Sequence, residues 1–314
     1  AVPVLVDVEP DTYCMSVEKV EEAITSRTKA VIPVHLYGCM VNMDGLLEVA
    51  KKHNLFIIED ASHSHGSRWR DMYAGTIGDI GAFSLQQGKV LTSGEGGVAL
   101  TKSEDIYDKL IELRSNSRVY IDESLLQVDK MQLVEQGKIM GTNFCLSEFQ
   151  AAVLLDQLAR LEAQNRLKER NAAYLNSRLQ EIPGVKIMRR YEQVTKQSYY
   201  RYAVRVDNTY FAEKPVRLIC KALEAELKVN VEQPYNPIHK SPLYRPLTKK
   251  RYHWSEENVR RLSVDCYQLE ISEKASGNEG IIMHHSVLLG NSQNMDNIIE
   301  AFAKVQKYAD EITA

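Results

Sequence analysis

Short apolar runs and amphipathic stretches alternate along the first half of the chain. Val4-Leu5-Val6-Asp7-Val8 reads as a buried strand, and apolar spacing predicts a helix from about Ser16, with Val17, Val20 and Ile24 on one face. Ala30-Val31-Ile32-Pro33-Val34 is the next strand, followed by a helix near Asp44 and the strand Leu55-Phe56-Ile57-Ile58-Glu59. Two further apolar segments, residues 80–85 and 97–101, lead into a helix over about 103–115. These runs are continuous rather than alternating, which implies a mostly parallel sheet covered on both faces, with ligands bound beyond the carboxyl ends of its strands.

Ser147-Glu148-Phe149-Gln150 has capping-box spacing and opens a long amphipathic stretch to about Leu179, ended by Pro183-Gly184. A helix of that length can bridge two domains. Beyond it come strands near 185–188 and 199–206, a helix near 215–227, a Pro-rich loop over 233–246 and an amphipathic helix after Asn294. The pattern predicts an α/β fold with a large α/β domain over 1–165 and a smaller α+β domain over 166–314.

A chain of 314 residues is long enough for two cores. Its net charge of -3 offers no broad attraction for nucleic acid or anionic lipid, and no apolar run reaches the length of a membrane span. The five cysteines are scattered, with no C-x-x-C pair and no signal peptide before them, so a reducing cytoplasm is expected. The chain begins without Met and enters a strand at once, which suggests a start partway through a domain.

Asp60 follows directly on an apolar strand, where a carboxylate projects into the ligand crevice; the plainer role there is a backbone cap. Ser84 closes a second strand, and Lys89 stands five residues on, in a loop continuing as Thr92-Ser93-Gly94-Glu95-Gly96-Gly97. A pyridoxal 5'-phosphate (PLP) enzyme needs a lysine for its Schiff base, a carboxylate for the pyridine nitrogen and donors for the phosphate. Glycines would let the backbone pass a bulky cofactor at positive φ. A PLP site and a structural loop both fit these residues. His63 and His65 form an H-x-H pair that could recruit His35, His284 or His285 to a metal, but no spacing typical of zinc ligands accompanies them, and no metal is expected. Nucleotide-binding glycine fingerprints and Gly-x-Ser-x-Gly elbows are absent, against hydride transfer and ester hydrolysis.

Ala30 to Gly38, Glu59-Asp60-Ala61-Ser62-His63-Ser64-His65-Gly66, Gly78 to Ser84 and Lys89 to Gly97 together resemble the DegT/StrS family, with further likeness at residues 143–150 and at Pro234-Tyr235-Asn236-Pro237-Ile238-His239. The resemblance implies a PLP-dependent aminotransferase of fold type I, like aspartate aminotransferase. Within the family, Gln86-Gln87-Gly88-Lys89-Val90-Leu91-Thr92 is most similar to the glutamine-dependent aminotransferases of aminocyclitol antibiotic biosynthesis, which act on scyllo-inosose or 2-deoxy-scyllo-inosose. Carried over, Lys89 would anchor the cofactor and move the proton, Asp60 would pair with the pyridinium, Ser62 would pack near the ring and His63 would contact the 3'-hydroxyl. Ser84 would bind the phosphate, Asn143 would reach the partner subunit's phosphate in a homodimer with shared sites, and Tyr235 and His239 would lie near the substrate. Family members replacing this lysine by histidine dehydrate instead; Lys89 argues against that here. Alternatives are a nucleotide-linked keto-sugar aminotransferase using glutamate, and a non-catalytic sensor of the same fold. Family members carry roughly a hundred further residues at the start, about the amount that would complete a large domain of usual size, so the chain is expected to be a fragment that binds PLP poorly alone.

Overall fold

A computed structural model describes residues 1–120, 133–135, 137–249 and 252–313. The first part runs α1 (Val17–Ala23), β1 (Ala30–Val31), α2 (Met43–His53), β2 (Phe56–Asp60), β3 (Arg68–Trp69), β4 (Met72–Tyr73), β5 (Ile80–Ser84), β6 (Gly97–Thr101), α3 (Glu104–Arg114), β7 (Val119–Tyr120) and β8 (Leu133–Val134). Then follow α4 (Glu148–Leu179), β9 (Val185–Ile187), β10 (Val194–Lys196), β11 (Arg201–Val206), α5 (Val216–Leu227), β12 (Val231–Glu232), α6 (Glu256–Leu262), α7 (Glu270–Lys274), β13 (Gly280–His284) and α8 (Ser292–Lys307).

The main sheet has the order β1-β2-β5-β6, with the first three strands parallel and β6 antiparallel at the edge. Asp60 pairs with Ala82, so the carboxyl ends of β2 and β5 lie side by side and bring Asp60 and Ser84 to one rim. Regular pairing of β1 stops after Val31 because Pro33 has no N–H to give. The run resumes as a bridge from Val34 to Asp60, with His35 N–H donating to Asp60 O at 3.0 Å.

Two sequence expectations need correction. Residues 4–8 do not form a strand: the chain turns back at once, Val8 bridges only to Met15, and Val4 is exposed. Asp7 instead accepts the N–H groups of Ile271 and Ser272 at the start of α7. Among the described residues, the sheet is also covered on one side rather than both. Ile57 and Val31 pack with Leu46 and Val49 of α2, while Ile32, Phe56 and Leu100 are exposed.

One core gathers residues from Cys14 to Ala74 together with Val194, and a second gathers residues from Ala172 to Ala309. Ser147 and Gln150 form the expected capping box at the start of α4, whose Ala172, Leu175 and Leu179 enter the second core. There β12-β13-β11-β9 make an antiparallel sheet backed by α5 and α8. A third cluster, including Tyr13, Tyr37, Val90, Tyr200, Ala203 and Ile282, joins the two cores. Among the described residues, no helix is long and apolar enough to cross a membrane.

Candidate active site

The segment after β5 is folded by its own backbone. Leu85 N–H donates to Gly96 O at 2.9 Å, Ser93 N–H to Leu85 O at 3.1 Å, and Lys89 N–H to Gln86 O at 2.9 Å. Gln86 Oε1 accepts Gly88 N–H at 2.7 Å, and Leu85 and Val90 are buried, so the lysine sits on a pinned turn rather than a free loop. Gly94 takes φ +90°, the positive value expected of this stretch.

Lys89 Nζ stands 4.6 Å from the centre of the Tyr200 ring. The His63 ring stacks on Tyr200 at 3.9 Å, and Tyr37 lies parallel to His63 at 6.1 Å. Tyr235 leans against Tyr37 at 5.5 Å, donates its N–H to Tyr37 Oη at 3.1 Å, and meets the Tyr200 hydroxyl at 3.4 Å. This box draws on the ends of β2 and β5 in the first core and on the start of β11 and the end of β12 in the second. Gly38 permits the join. Its φ is +101°, and a Cβ there would fall 1.8 Å from Ser198 O, so only glycine lets the Tyr37 turn press against the strand that carries Tyr200.

Burial lowers the Lys89 ammonium pKa, with Arg201 acting in the same direction, while Tyr200 and Asp60 oppose it. Its amine is therefore shifted toward the neutral, nucleophilic form. Burial, then Lys89, His65 and Arg201, push His63 down to about 3. His63 Nδ1 accepts Tyr37 N–H at 3.4 Å, so the neutral ring keeps its proton on Nε2, as a donor. His65 is lowered to about 4, chiefly by burial, and donates Nε2–H to Ser84 O at 2.9 Å. Ser84 Oγ accepts Gln86 N–H at 3.3 Å. Asp60 Oδ1 caps Ser62 N–H at 3.0 Å, so the plain capping role holds alongside its field on Lys89.

Behind the rim, Glu59 is fully buried and accepts from His35 Nε2 at 3.0 Å, Gly75 N–H at 2.8 Å, and Ile77 and Gly78 N–H at 2.7 Å each. Burial alone would raise this carboxyl; His35 and the backbone donors outweigh it and hold the group below its usual range. His239 is buried against Glu273, with Nε2 to Oε1 at 2.9 Å. Asn143 is exposed, and its Oδ1 accepts Cys145 N–H at 3.1 Å. No group of three possible metal ligands occurs among the described residues. Tyr200 and Arg201 gave no sign in the sequence beyond lying in a predicted strand, since the first core reaches them only through tertiary contacts.

Residues 1–299 match the DegT/DnrJ/EryC1/StrS aminotransferase family. The chain belongs to this family. An L-glutamine:2-deoxy-scyllo-inosose aminotransferase from Streptoalloteichus tenebrarius is 41% identical over 314 residues, which is 100% of this chain and 73% of that protein. An L-glutamine:scyllo-inosose aminotransferase from Streptomyces griseus is 40% identical over 314 residues, with the same coverage. Among solved structures, 3-amino-5-hydroxybenzoic acid synthase superposes with a TM-score of 0.78 at 27% identity, over 98% of this chain and 75% of that one. An aminotransferase from Psychrobacter cryohalolentis, 23% identical, shares the fold with a TM-score of 0.80 over 99% of this chain and 76% of its own. As a DegT-family aminotransferase, the protein presents residues that fit PLP: a desolvated amine, a carboxylate beside it, a hydroxyl at the neighbouring strand end and a neutral imidazole donor.

Proposed function

We propose that this aminotransferase uses PLP to transfer the amino group of L-glutamine to a keto-cyclitol of the scyllo-inosose or 2-deoxy-scyllo-inosose type, in aminocyclitol biosynthesis. The observation that carries this reading is the partly desolvated Lys89 amine, held between Asp60 and the His63–Tyr200 stack, in a chain 41% identical to an enzyme named for that reaction. Bound PLP supplies an electron sink that stabilises negative charge on the carbon bearing the amino group. Lys89 Nζ would anchor it, and would take and return the proton of that carbon. Asp60 would keep the ring nitrogen protonated, His63 Nε2–H would donate to the ring oxygen, and Ser62 would pack near the ring. Ser84 Oγ would bind the phosphate. Glutamine and ketone use one pocket in turn, with the proton transfers reversed in the second half.

The proposal extends to a homodimer in which the exposed Asn143 reaches the partner's phosphate, and to a cytoplasmic enzyme. Division into 1–165 and 166–314 is supported by the two separate cores. The test compares full-length wild type with Lys89→Ala in the presence of PLP, by visible spectrum before and after borohydride. A lysine-bound cofactor band that disappears on adding glutamine, and is missing in the variant, is expected. A ketone panel of scyllo-inososes against nucleotide keto-sugars then fixes the acceptor. A full-length wild type without such a band would sink the reading.

A further inference from the structure

Arg201 is a second cation beside Lys89 that no carboxylate among the described residues neutralises. Its guanidinium carbon lies 5.3 Å from the centre of the Tyr200 ring, the same ring that Lys89 Nζ faces at 4.6 Å. In β11 it pairs across the sheet with His284 and shares a strand face with Ala203, which packs with Tyr37 and Val90 beside the Lys89 turn. Its charge is felt by Lys89, His63, Tyr37 and Tyr235. Its guanidinium hydrogen-bonds the Tyr235 side chain, but among the described residues no carboxylate forms an ion pair with it, and its Nε is buried without a hydrogen-bond partner. Arg190, which lines the same cavity of about 290 Å³ as Arg201 and Tyr37, is by contrast neutralised by Glu169 at 2.7 Å.

Two cations without a carboxylate partner held against one ring repel each other, and the buried Nε of Arg201 is a donor left unsatisfied. An anion at this point would offset both costs. A keto-cyclitol carries no charge, so the anions of the reaction are the cofactor phosphate and the carboxylate of the amino donor. Ser84, the phosphate candidate, stands at the end of β5, where His65 donates to its carbonyl, whereas Arg201 stands with Tyr200 and Tyr235 on the side of the second core. Resting on the function given above, we propose that Arg201 binds the α-carboxylate of glutamine. The planar fork suits two parallel hydrogen bonds to a carboxylate, which a lysine cannot reproduce. The group thereby selects an α-amino acid over a simple amine while leaving the neutral ketone unaffected.

The experiment uses full-length holoenzyme as wild type, Arg201→Met and Arg201→Lys. Probes are L-glutamine, 4-aminobutanamide (glutamine with hydrogen in place of the carboxylate), and 2-methyl-L-glutamine, which lacks the labile hydrogen and binds without turnover. Arg201→Met is expected to raise the KM for glutamine, and to weaken 2-methyl-L-glutamine in calorimetry, by roughly 10- to 100-fold. Its KM for scyllo-inosose and its use of 4-aminobutanamide should stay within about threefold of wild type. Arg201→Lys should fall between, and serves if the Met variant fails to fold. Unchanged glutamine KM and 2-methyl-L-glutamine affinity in either folded variant would overturn the assignment. Loss of PLP affinity with glutamine binding intact would also overturn it, by moving the guanidinium to the phosphate. A wild type that transfers nothing from glutamine refutes the enzymatic reading, while calorimetry with 2-methyl-L-glutamine still decides whether Arg201 holds a carboxylate.

Discussion

Replacing Lys168 by Met should make the protein more stable near neutral pH, and the gain should vanish as pH rises. Lys168 lies on α4 with no exposed surface, and its Nζ has no hydrogen-bond partner among the described residues. Burial lowers its pKa from 10.5 to about 7. The unfolded chain therefore holds a proton on this amine across a pH range in which the folded chain gives it up. Between those two values the unfolded state binds more protons, so wild-type stability rises with pH from about 7 to about 10. Below about 7 both states are protonated and the full penalty stands. At about 1.4 kcal/mol per decade of proton affinity, that penalty is on the order of 4 kcal/mol at pH 7. Methionine has a similar length, tolerates irregular gaps and carries no charge to desolvate. Even if half of the penalty is already relieved by local relaxation, Lys168→Met should gain about 2 kcal/mol at pH 7. Urea unfolding of cofactor-free wild type and variant at a series of pH values from 7 to 10 reads the difference directly. A variant no more stable than wild type at pH 7, or a difference that does not shrink on going to pH 10, would refute the reasoning.

Two further outcomes follow from the groups behind the site. Glu59→Gln replaces one of two accepting oxygens by an NH2 that faces either the N–H donors of Ile77 and Gly78 or those of Gly75 and His35, so a loss of roughly 2–4 kcal/mol is expected in chemical denaturation; a loss under about 0.5 kcal/mol would show that the hub contributes nothing. His63 and His65 are held at about 3 and about 4, below the unfolded value near 6.5, so the unfolded chain takes up protons that the folded chain refuses as the solution is acidified. Stability is full above pH 6.5 and falls below it, by roughly 2–3 kcal/mol per histidine on reaching pH 4.5, and a His63→Gln, His65→Asn double variant should show a correspondingly flatter acid limb in denaturation midpoints. An unchanged limb would mean that neither ring is kept neutral by the fold.

Much of this arrangement was readable in the chain because it is local. The strand runs at 55–59, 80–85 and 97–101 and the helices that alternate with them follow from apolar spacing, and the α4 start follows from Ser147 and Gln150. Asp60, Ser84 and Lys89 stood out as candidates because ligands bind beyond the carboxyl ends of parallel strands, and the sheet register places Asp60 and Ser84 on one rim. What was missed depends on pairing at a distance. Residues 4–8 have strand-like hydrophobicity, yet hydrophobicity does not name a partner, and the chain bonds to itself at Met15 instead. Glu59 lies within an apolar run, and nothing local says that three backbone N–H groups from residues 75–78 will converge on it. Nor does anything local say that, of the two residues in the Pro-rich loop, Tyr235 meets Tyr200 while His239 bonds Glu273 of α7.

Several of the buried polar atoms without a hydrogen-bond partner share one neighbourhood. Buried polar atoms without a partner include His65 Nδ1, Asn165 Oδ1, Lys168 Nζ, Arg201 Nε and His285 Nδ1, and their side chains come from α4, the end of β2, the start of β11 and the turn after β13. Lys168 is felt by His65 and His285, and Arg201 by His63, His284 and His285, so these groups share one electrostatic neighbourhood. Cations and neutral imidazoles outnumber carboxylates there, with Asp60 as the acid in the field of Lys89. A core selected for stability alone would replace such groups with apolar ones of similar volume, at a gain rather than a loss. Their presence beside Lys89 is the pattern expected where a fold gives up stability for a pocket that attracts anions and keeps its bases unprotonated. On the proposed function, that is the electrostatic setting a phosphate-bearing cofactor and a carboxylate-bearing donor would require, and with the proposed role of Arg201 it would put specificity on the second core as much as on the lysine of the first.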